Sequence, residues 1–225
     1  MTDTEQVPII DISPYTSSPP FSPTAKSVIQ QIHTAAATWG FFLLTNTAIP
    51  PPTKSALVSH SHAFFDLPLP TKMSLDVSKG GPRWRGYMPL GGEHTHGGLD
   101  YKEGMYFGNE HGDDHPLVVQ GMPLHGRNRF PSQEEWEGGD SEGMKGAVLG
   151  YLDAAAELGK TLTDVFSEGL FGSGEEDRKK LRGMLIEPEP VLLFRAFKYL
   201  PVAVAEGKEQ GEGGGFGIGE HTGLF

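Results

Sequence analysis

A chain of 225 residues with 37% hydrophobic and 21% charged residues and 13 Phe has the composition of a folded protein, with one large domain as the default, and excludes a disordered one. Its formal net charge of −11, with no run of Lys and Arg to offset it, argues against a nucleic acid held by phosphate contacts, so no nucleic acid is expected. The absence of Cys removes disulfides and thiolate chemistry and leaves metal binding to His and carboxylates.

Met1 to Gln6 is polar and acidic and does not read as a signal peptide, and no apolar run approaches the roughly 20 residues of a membrane helix. A cytoplasmic protein with no membrane partner is the expectation. The β-branched run Val7 to Ile12 predicts a strand entering the core. Ser22-Pro23 then supplies an N-cap and a first-turn proline, Val28, Ile32, Ala36 and Trp39 recur at helical spacing, and Gly40 stops the helix. Phe41 to Leu44 is too short for a helix and reads as a strand buried on both faces. A second helix is predicted over about 53–65, ending before Pro68.

Between Ser78 and Asn128 the Gly- and His-rich sequence predicts mostly loop, with short strands near Arg85–Tyr87 and Gly104–Phe107. From Ser141 to Leu170, apolar residues such as Met144, Val148, Leu152, Ala155, Leu158, Leu162 and Val165 fall three or four apart, which predicts a long amphipathic helix. Another helix is predicted over 175–185, and Val191 to Tyr199 switches to strand composition. The Gly/Glu-rich stretch 206–215 reads as an exposed loop, and its glycines fit no dinucleotide-binding register.

Four groups of residues could carry chemistry. Glu93-His94-Thr95-His96 and His111-Gly112-Asp113-Asp114-His115 read as solvated loop histidines, with a shared metal ion as the alternative. In Arg83-Trp84-Arg85-Gly86-Tyr87 the guanidinium forks suit a carboxylate-bearing ligand, and a surface arginine pair stacked on Trp84 is the equal alternative. Arg195 and Tyr199, four apart on a strand, share one face and either line a pocket or pack as surface residues.

The ordered set Val7-Pro8-Ile9-Ile10-Asp11, Trp39-Gly40-Phe41-Phe42, Phe64-Phe65-Asp66-Leu67-Pro68 with Lys72, Arg85-Gly86-Tyr87, Gly92-Glu93, Lys102-Glu103, Phe107-Gly108, Asn128-x-Phe130-Pro131 and Gly219-Glu220-His221-Thr222 carries a resemblance. It resembles the iron(II)/2-oxoglutarate-dependent oxygenases of the isopenicillin N synthase-like group. The resemblance implies an α+β fold with N-terminal helices packed on a double-stranded β-helix, or jelly-roll, core that is here incomplete. It implies a non-haem dioxygenase N-terminal region over 1–132 and, over 133–225, the long helix and first strands of the oxygenase core.

Members of that group hold Fe(II) with His-x-Asp on one strand and a distant second His. His221 matches the first metal ligand, Gly223 stands at the Asp position, and neither the distal His nor the Arg-x-Ser that grips 2-oxoglutarate is found. The expectation is therefore an oxidoreductase lineage using Fe(II) and 2-oxoglutarate on a small organic molecule, with this truncated chain inactive and no residue assigned a catalytic role. Arg85 and Tyr199 are the expected substrate contacts. Two alternatives stand beside it: a non-catalytic binding remnant that self-associates through exposed core edges, and a halogenase-like enzyme of a longer chain, since related halogenases carry His-x-Gly.

Overall fold

The computed structural model describes residues 6–95, 98–172 and 174–200, and they form an α+β structure. In chain order the elements are β1 (Ile9–Asp11), α1 (Ser13–Ser17), α2 (Pro23–Thr38), β2 (Leu43–Thr45), α3 (Pro51–Phe65), α4 (Leu69–Ser74), a 3-10 segment Val77–Arg83, and β3 (Gly86–Met88). Then follow β4 (His94–Thr95), β5 (Gly98–Leu99), β6 (Lys102–Gly108), α5 (Pro116–Val119), α6 (Ser141–Phe171), α7 (Glu175–Leu185) and β7 (Leu193–Tyr199). The loop predicted over 206–215 and the motif over 219–223 lie outside the described residues. The described residues form two compact units, one within 6–54 and 153–190 and the other within 55–152 and 191–200.

In the first unit, Ser22 caps α2 by accepting a hydrogen bond from the Ala25 amide, and Pro23 opens the helix with its φ already set. Gly40, at φ +76°, carries the chain out of the helix in a conformation that L side chains rarely adopt. α2 buries Ala25, Val28, Ile29, Ile32 and Ala35 together with Ile10, Ile12 and Val165. Each fully buried aliphatic side chain there contributes roughly 1.5–3 kcal/mol.

β1 and β2 pair in parallel, Ile10 against Leu44. The reading of Phe41 to Leu44 as buried on both faces is corrected here: Phe42 and Leu44 pack on the core, whereas Phe41 and Leu43 are 55% and 54% exposed. A strand in a two-stranded ribbon has a core on one side only, so alternate residues turn outward.

The second unit is organised around β6, whose seven residues are all buried at the centre of an antiparallel sheet ordered β3-β6-β7. Because successive side chains on a strand point to opposite faces, β6 serves two layers at once. Met105 and Phe107 join Leu57, Phe64, Phe65, Tyr87, Trp136, Met144, Val148 and Leu152 on one face, and Tyr106 joins Val77, Met88 and Phe197 on the other. Gly86 enters β3 at φ +128°, and a Cβ there would collide with the Leu75 carbonyl that receives the Tyr87 amide. The region expected to be mostly loop also holds the 3-10 segment, the β4-β5 hairpin and α5, elements too short to show a period.

Candidate functional site

The blocks Phe64-Phe65 with Lys72, Arg85-Gly86-Tyr87 and Lys102-Glu103, scattered over four elements, meet inside the second unit. Lys72 of α4 places its Nζ 2.7 Å from Glu103 Oε2 and 2.9 Å from the Phe65 carbonyl, and the Tyr87 hydroxyl donates to the same Glu103 oxygen at 2.5 Å. Both charged side chains are under a tenth exposed. A buried ion pair offsets its own desolvation only when the remaining donors and acceptors are also satisfied, and here the carbonyl and the phenol complete the set. Burial, and then the Glu103 carboxylate, raise the Tyr87 phenol above its usual range. This network fixes α4 and β3 to β6; it holds the sheet together rather than presenting a reactive group.

Lys102, one residue earlier on β6, points to the opposite face. Its Nζ lies 2.9 Å from both Glu93 and Asp100 and 4.7 Å from the centre of the Phe197 ring. Tyr106 donates to Glu93, and Arg195 of β7 lies over the rings of Tyr106 and Phe197. Burial alone would raise the Glu93 carboxyl, but the hydrogen bonds from Tyr106 and Lys102 outweigh it and hold the group below the usual carboxylate range. Burial would likewise lower Lys102, and its two carboxylate partners reverse that. The pairing of Glu93, Asp100 and Lys102 was not legible as a motif, because it depends on strand alternation and on a hairpin too short to recognise.

Arg85 is fully buried, not part of a surface pair stacked on Trp84. Its Nη1 donates to the Arg83 carbonyl at 2.9 Å and its Nη2 to the Leu124 carbonyl at 2.7 Å, while Nε has no acceptor. Gly108 makes room for it, since a Cβ there would overlap the Arg85 guanidinium and the Leu192 carbonyl. Burial lowers Arg85 to about 10, with the Glu110 carboxylate opposing the shift. Asn128, of the Asn-x-Phe-Pro block, receives the Gly108 amide and donates to the Gly108 carbonyl, both at 2.8 Å, so this motif locks the end of β6.

Tyr199 stands at the other end of the sheet, about half exposed, in a cavity of about 410 Å³ with Leu57, Phe65, Phe194 and Phe197. The β6–β7 register sets Arg195 against Tyr106 and Tyr199 against Lys102, which keeps Arg195 and Tyr199 on one face. Arg85 lines a different cavity, of about 560 Å³. The two expected substrate contacts are therefore not brought together.

Of the histidines in the 111–115 loop, His111 is not solvated and His115 is half-buried. His111 is buried, its ring stacks on His115 with centroids 3.9 Å apart, and its Nδ1 lies 3.2 Å from Nδ1 of the buried His125. Two Nδ1 atoms at hydrogen-bonding distance require one to donate and the other to accept, so the two rings differ in protonation at Nδ1. The loop folds back because the His111 amide donates to the Gly126 carbonyl, a contact between segments that no local pattern announces. The side chain of His94, all of His96 and the metal-ligand candidate His221 lie outside the described residues.

Residues 7–133 match the family described as non-haem dioxygenase in morphine synthesis, N-terminal. The chain belongs to the 2-oxoglutarate/Fe(II) oxygenase family. It is 35% identical over 227 residues to a protein of Dictyostelium discoideum named as a probable iron/ascorbate oxidoreductase, covering 97% of this chain and 61% of that one. It is 30% identical to the 2-oxoglutarate-dependent dioxygenase tropC of Talaromyces stipitatus, covering 97% of this chain and 63% of that one. The chain thus spans a little over three fifths of the length of these two relatives.

Among solved structures, a 2OG-Fe(II) oxygenase family protein of Caulobacter crescentus superposes with a TM-score of 0.69 at 20% identity, over 90% of this chain and 59% of that one. A full-length protein of Neurospora crassa, solved in complex with alpha-KG, gives 0.65 at 20% identity, over 85% and 53%. At that identity the likeness establishes the fold, and the expected α+β, jelly-roll class holds.

Proposed function

We propose that this protein is an oxidoreductase of the 2-oxoglutarate/Fe(II)-dependent type acting on a small organic molecule. The observation that carries the reading is the family match over 7–133, whose blocks Lys72, Tyr87 and Glu103 close on one buried network and so preserve the family's structural frame. The alpha-KG complex of the Neurospora protein and the name of the Talaromyces relative support 2-oxoglutarate as cosubstrate. Fe(II) with 2-oxoglutarate would supply oxidation by dioxygen. Arg85 and Tyr199 are the residues we assign to substrate contact, each in its own cavity.

His221 is the residue we assign as the first iron ligand. Gly223 stands two residues on, where a carboxylate on the same strand face would be needed, so this segment offers one imidazole, which does not fit a retained Fe(II) site. Through this segment the 225-residue chain is expected to hold no stoichiometric iron and to release no succinate from 2-oxoglutarate above a His221→Ala background. A product extended to the length of the relatives is expected to release succinate and to lose that activity with His221→Ala; an extended product inert toward 2-oxoglutarate would overturn the reading.

Two narrower readings rest on particular residues. His221-Thr222-Gly223 favours a halogenase-like variant, which turnover of the extended product in chloride against chloride-free buffer separates from hydroxylation. The outer position of β7, terminal in its sheet among the described residues and with Val191, Leu193 and Tyr199 exposed, favours a non-catalytic binding protein that self-associates. Concentration-independent monomer in sedimentation velocity would remove that second reading.

A further inference from the structure

The 560 Å³ cavity that Arg85 lines concentrates positive charge in a chain whose net charge is −11. Lys79, Arg83, Arg85, Arg127 and Arg129, five of the 18 Lys and Arg of the whole sequence, form its wall with His125. None of the residues lining it is a carboxylate. A cavity of this size falls in the range that takes small metabolites, roughly 300–1,000 Å³.

What the cations do with their donors decides whether the charge is already neutralised. Arg85 gives its terminal nitrogens to the Arg83, Trp84 and Leu124 carbonyls, Arg129 donates to the carbonyls of Lys79 and Ser74, and Lys79 to those of Met73 and Ser74. Carbonyls orient a cation without cancelling its charge, and the carboxylates near these three, Asp76 by Lys79 and Arg129, Glu135 by Arg129 and Glu110 by Arg85, are not among the residues lining the cavity. Arg83 and Arg127 share a single carboxylate, Asp113, at 3.9 and 3.6 Å, and Asp113 is itself largely exposed, so that attraction is well screened. Glu110 is occupied by the amide and side chain of Asn128.

A second, independent sign is the pair of unsatisfied donors. The Nε atoms of Arg85 and Arg129 are buried and have no hydrogen-bond acceptor, although buried N–H groups are normally paired. Two guanidinium groups of this one cationic wall thus each keep a buried donor that no acceptor compensates. A field focused by low-dielectric walls raises the local concentration of anions.

We propose that this cavity is a binding site for a small polyanion carrying at least two carboxylate or phosphate groups. The three carbonyl-anchored cations form a fixed floor, and the more exposed Arg83 and Arg127 close on the ligand as bidentate forks, exchanging Asp113 for it. The inference shares Arg85 with the substrate assignment above but needs no oxidation chemistry. Binding is measured without turnover, so its failure and the failure of the oxygenase reading are separate results.

The test is isothermal titration calorimetry of the 225-residue chain at low ionic strength with citrate in one arm and pyrophosphate in the other. The expected result is one-to-one binding of at least one of them with Kd below ~1 mM, weakening as salt rises. Binding of citrate alone assigns a polycarboxylate, of pyrophosphate alone a phosphorylated ligand, and of both a site that reads charge. The double variant Arg83→Glu/Arg127→Glu, at two positions exposed enough to leave the core intact, should weaken binding by about tenfold or more with an unchanged thermal melt. Absence of heat with both anions up to ~10 mM, or equal affinity in the double variant, overturns the proposal.

Discussion

Both compact units bury carboxylates beside cations, but they do it in opposite ways. In the first unit Asp164 and Glu168 of α6 are almost fully buried, while their partners Arg178 and Arg182 of α7 remain about a third exposed, and Tyr15 donates to Glu168 at 2.8 Å. In the second unit the cations are buried as deeply as the acids: Lys72 with Glu103, Lys102 with Asp100. An arginine reaching in from solvent keeps part of its hydration and can relax when its partner is lost. A lysine sealed behind a sheet cannot, so the second unit has more to lose from a single substitution.

The largest effect should come from raising the pH, which acts on both units. Tyr15 in the first unit and Tyr87 and Tyr106 in the second are all raised above the ordinary phenol value of 10.0, first by burial and then by the carboxylates they donate to. A raised folded value means that the stabilisation is fully present below the unfolded value and is lost as the pH climbs through the folded one. Unfolding above pH 10 is therefore expected, and phenolate absorbance followed together with circular dichroism checks it. One joint step means that the units unfold together, two steps that they do not, and ionisation of these phenols without loss of structure would refute the burial argument.

Next comes Glu103→Ala, which strands Lys72 behind the sheet and should cost about 3–5 kcal/mol in urea unfolding. Replacing the pair together, Lys72→Met with Glu103→Leu, should recover most of that loss, because the penalty lies in the unpaired charge. Asp164→Ala in the first unit should cost less, about 1–3 kcal/mol, since Arg178 and Arg182 can turn to water. If Asp164→Ala equalled Glu103→Ala, the contrast between sealed and open cations would be wrong. The smallest effect is Ser22→Ala, about 1 kcal/mol for the lost cap of α2, with no change in the sheet of the second unit.

The acid limb sharpens the same contrast. Glu93 is held below the usual carboxylate range, so its contribution is present above the unfolded carboxyl value of 4.5 and is lost as pH falls through the lower folded one. Glu93→Gln should therefore flatten the low-pH side of the stability profile, measured by denaturant midpoints across pH.

How far such features could be read in advance depended on their range along the chain. The cap at Ser22, the glycine stop at Gly40 and the helix over 175–185 obey rules that act within a few residues, and the structure keeps them. The double-sided burial assigned to Phe41–Leu44 failed because a run of apolar letters does not say how many faces are covered. Reading the 111–115 histidines as solvated misses the burial of His111, because the contacts that bury it come from His125 and Gly126. For the same reason Arg85 could be suspected of contacting an anion, but neither its burial nor its separation from Tyr199 was visible.

The sequence by itself determined the family, the α+β class and the local starts and stops of the helices, since these rest on motif order, periodicity and capping chemistry. Only the tertiary structure decided which charges meet. Lys72, Tyr87 and Glu103 lie up to 31 residues apart, and the five cations of the Arg85 cavity come from two separate segments of an acidic chain, Lys79 to Arg85 and Arg127 to Arg129. Local rules fix backbone conformation residue by residue, whereas the pairing and burial of charge depend on which distant segments the sheet and its crossing loops bring within a few ångströms.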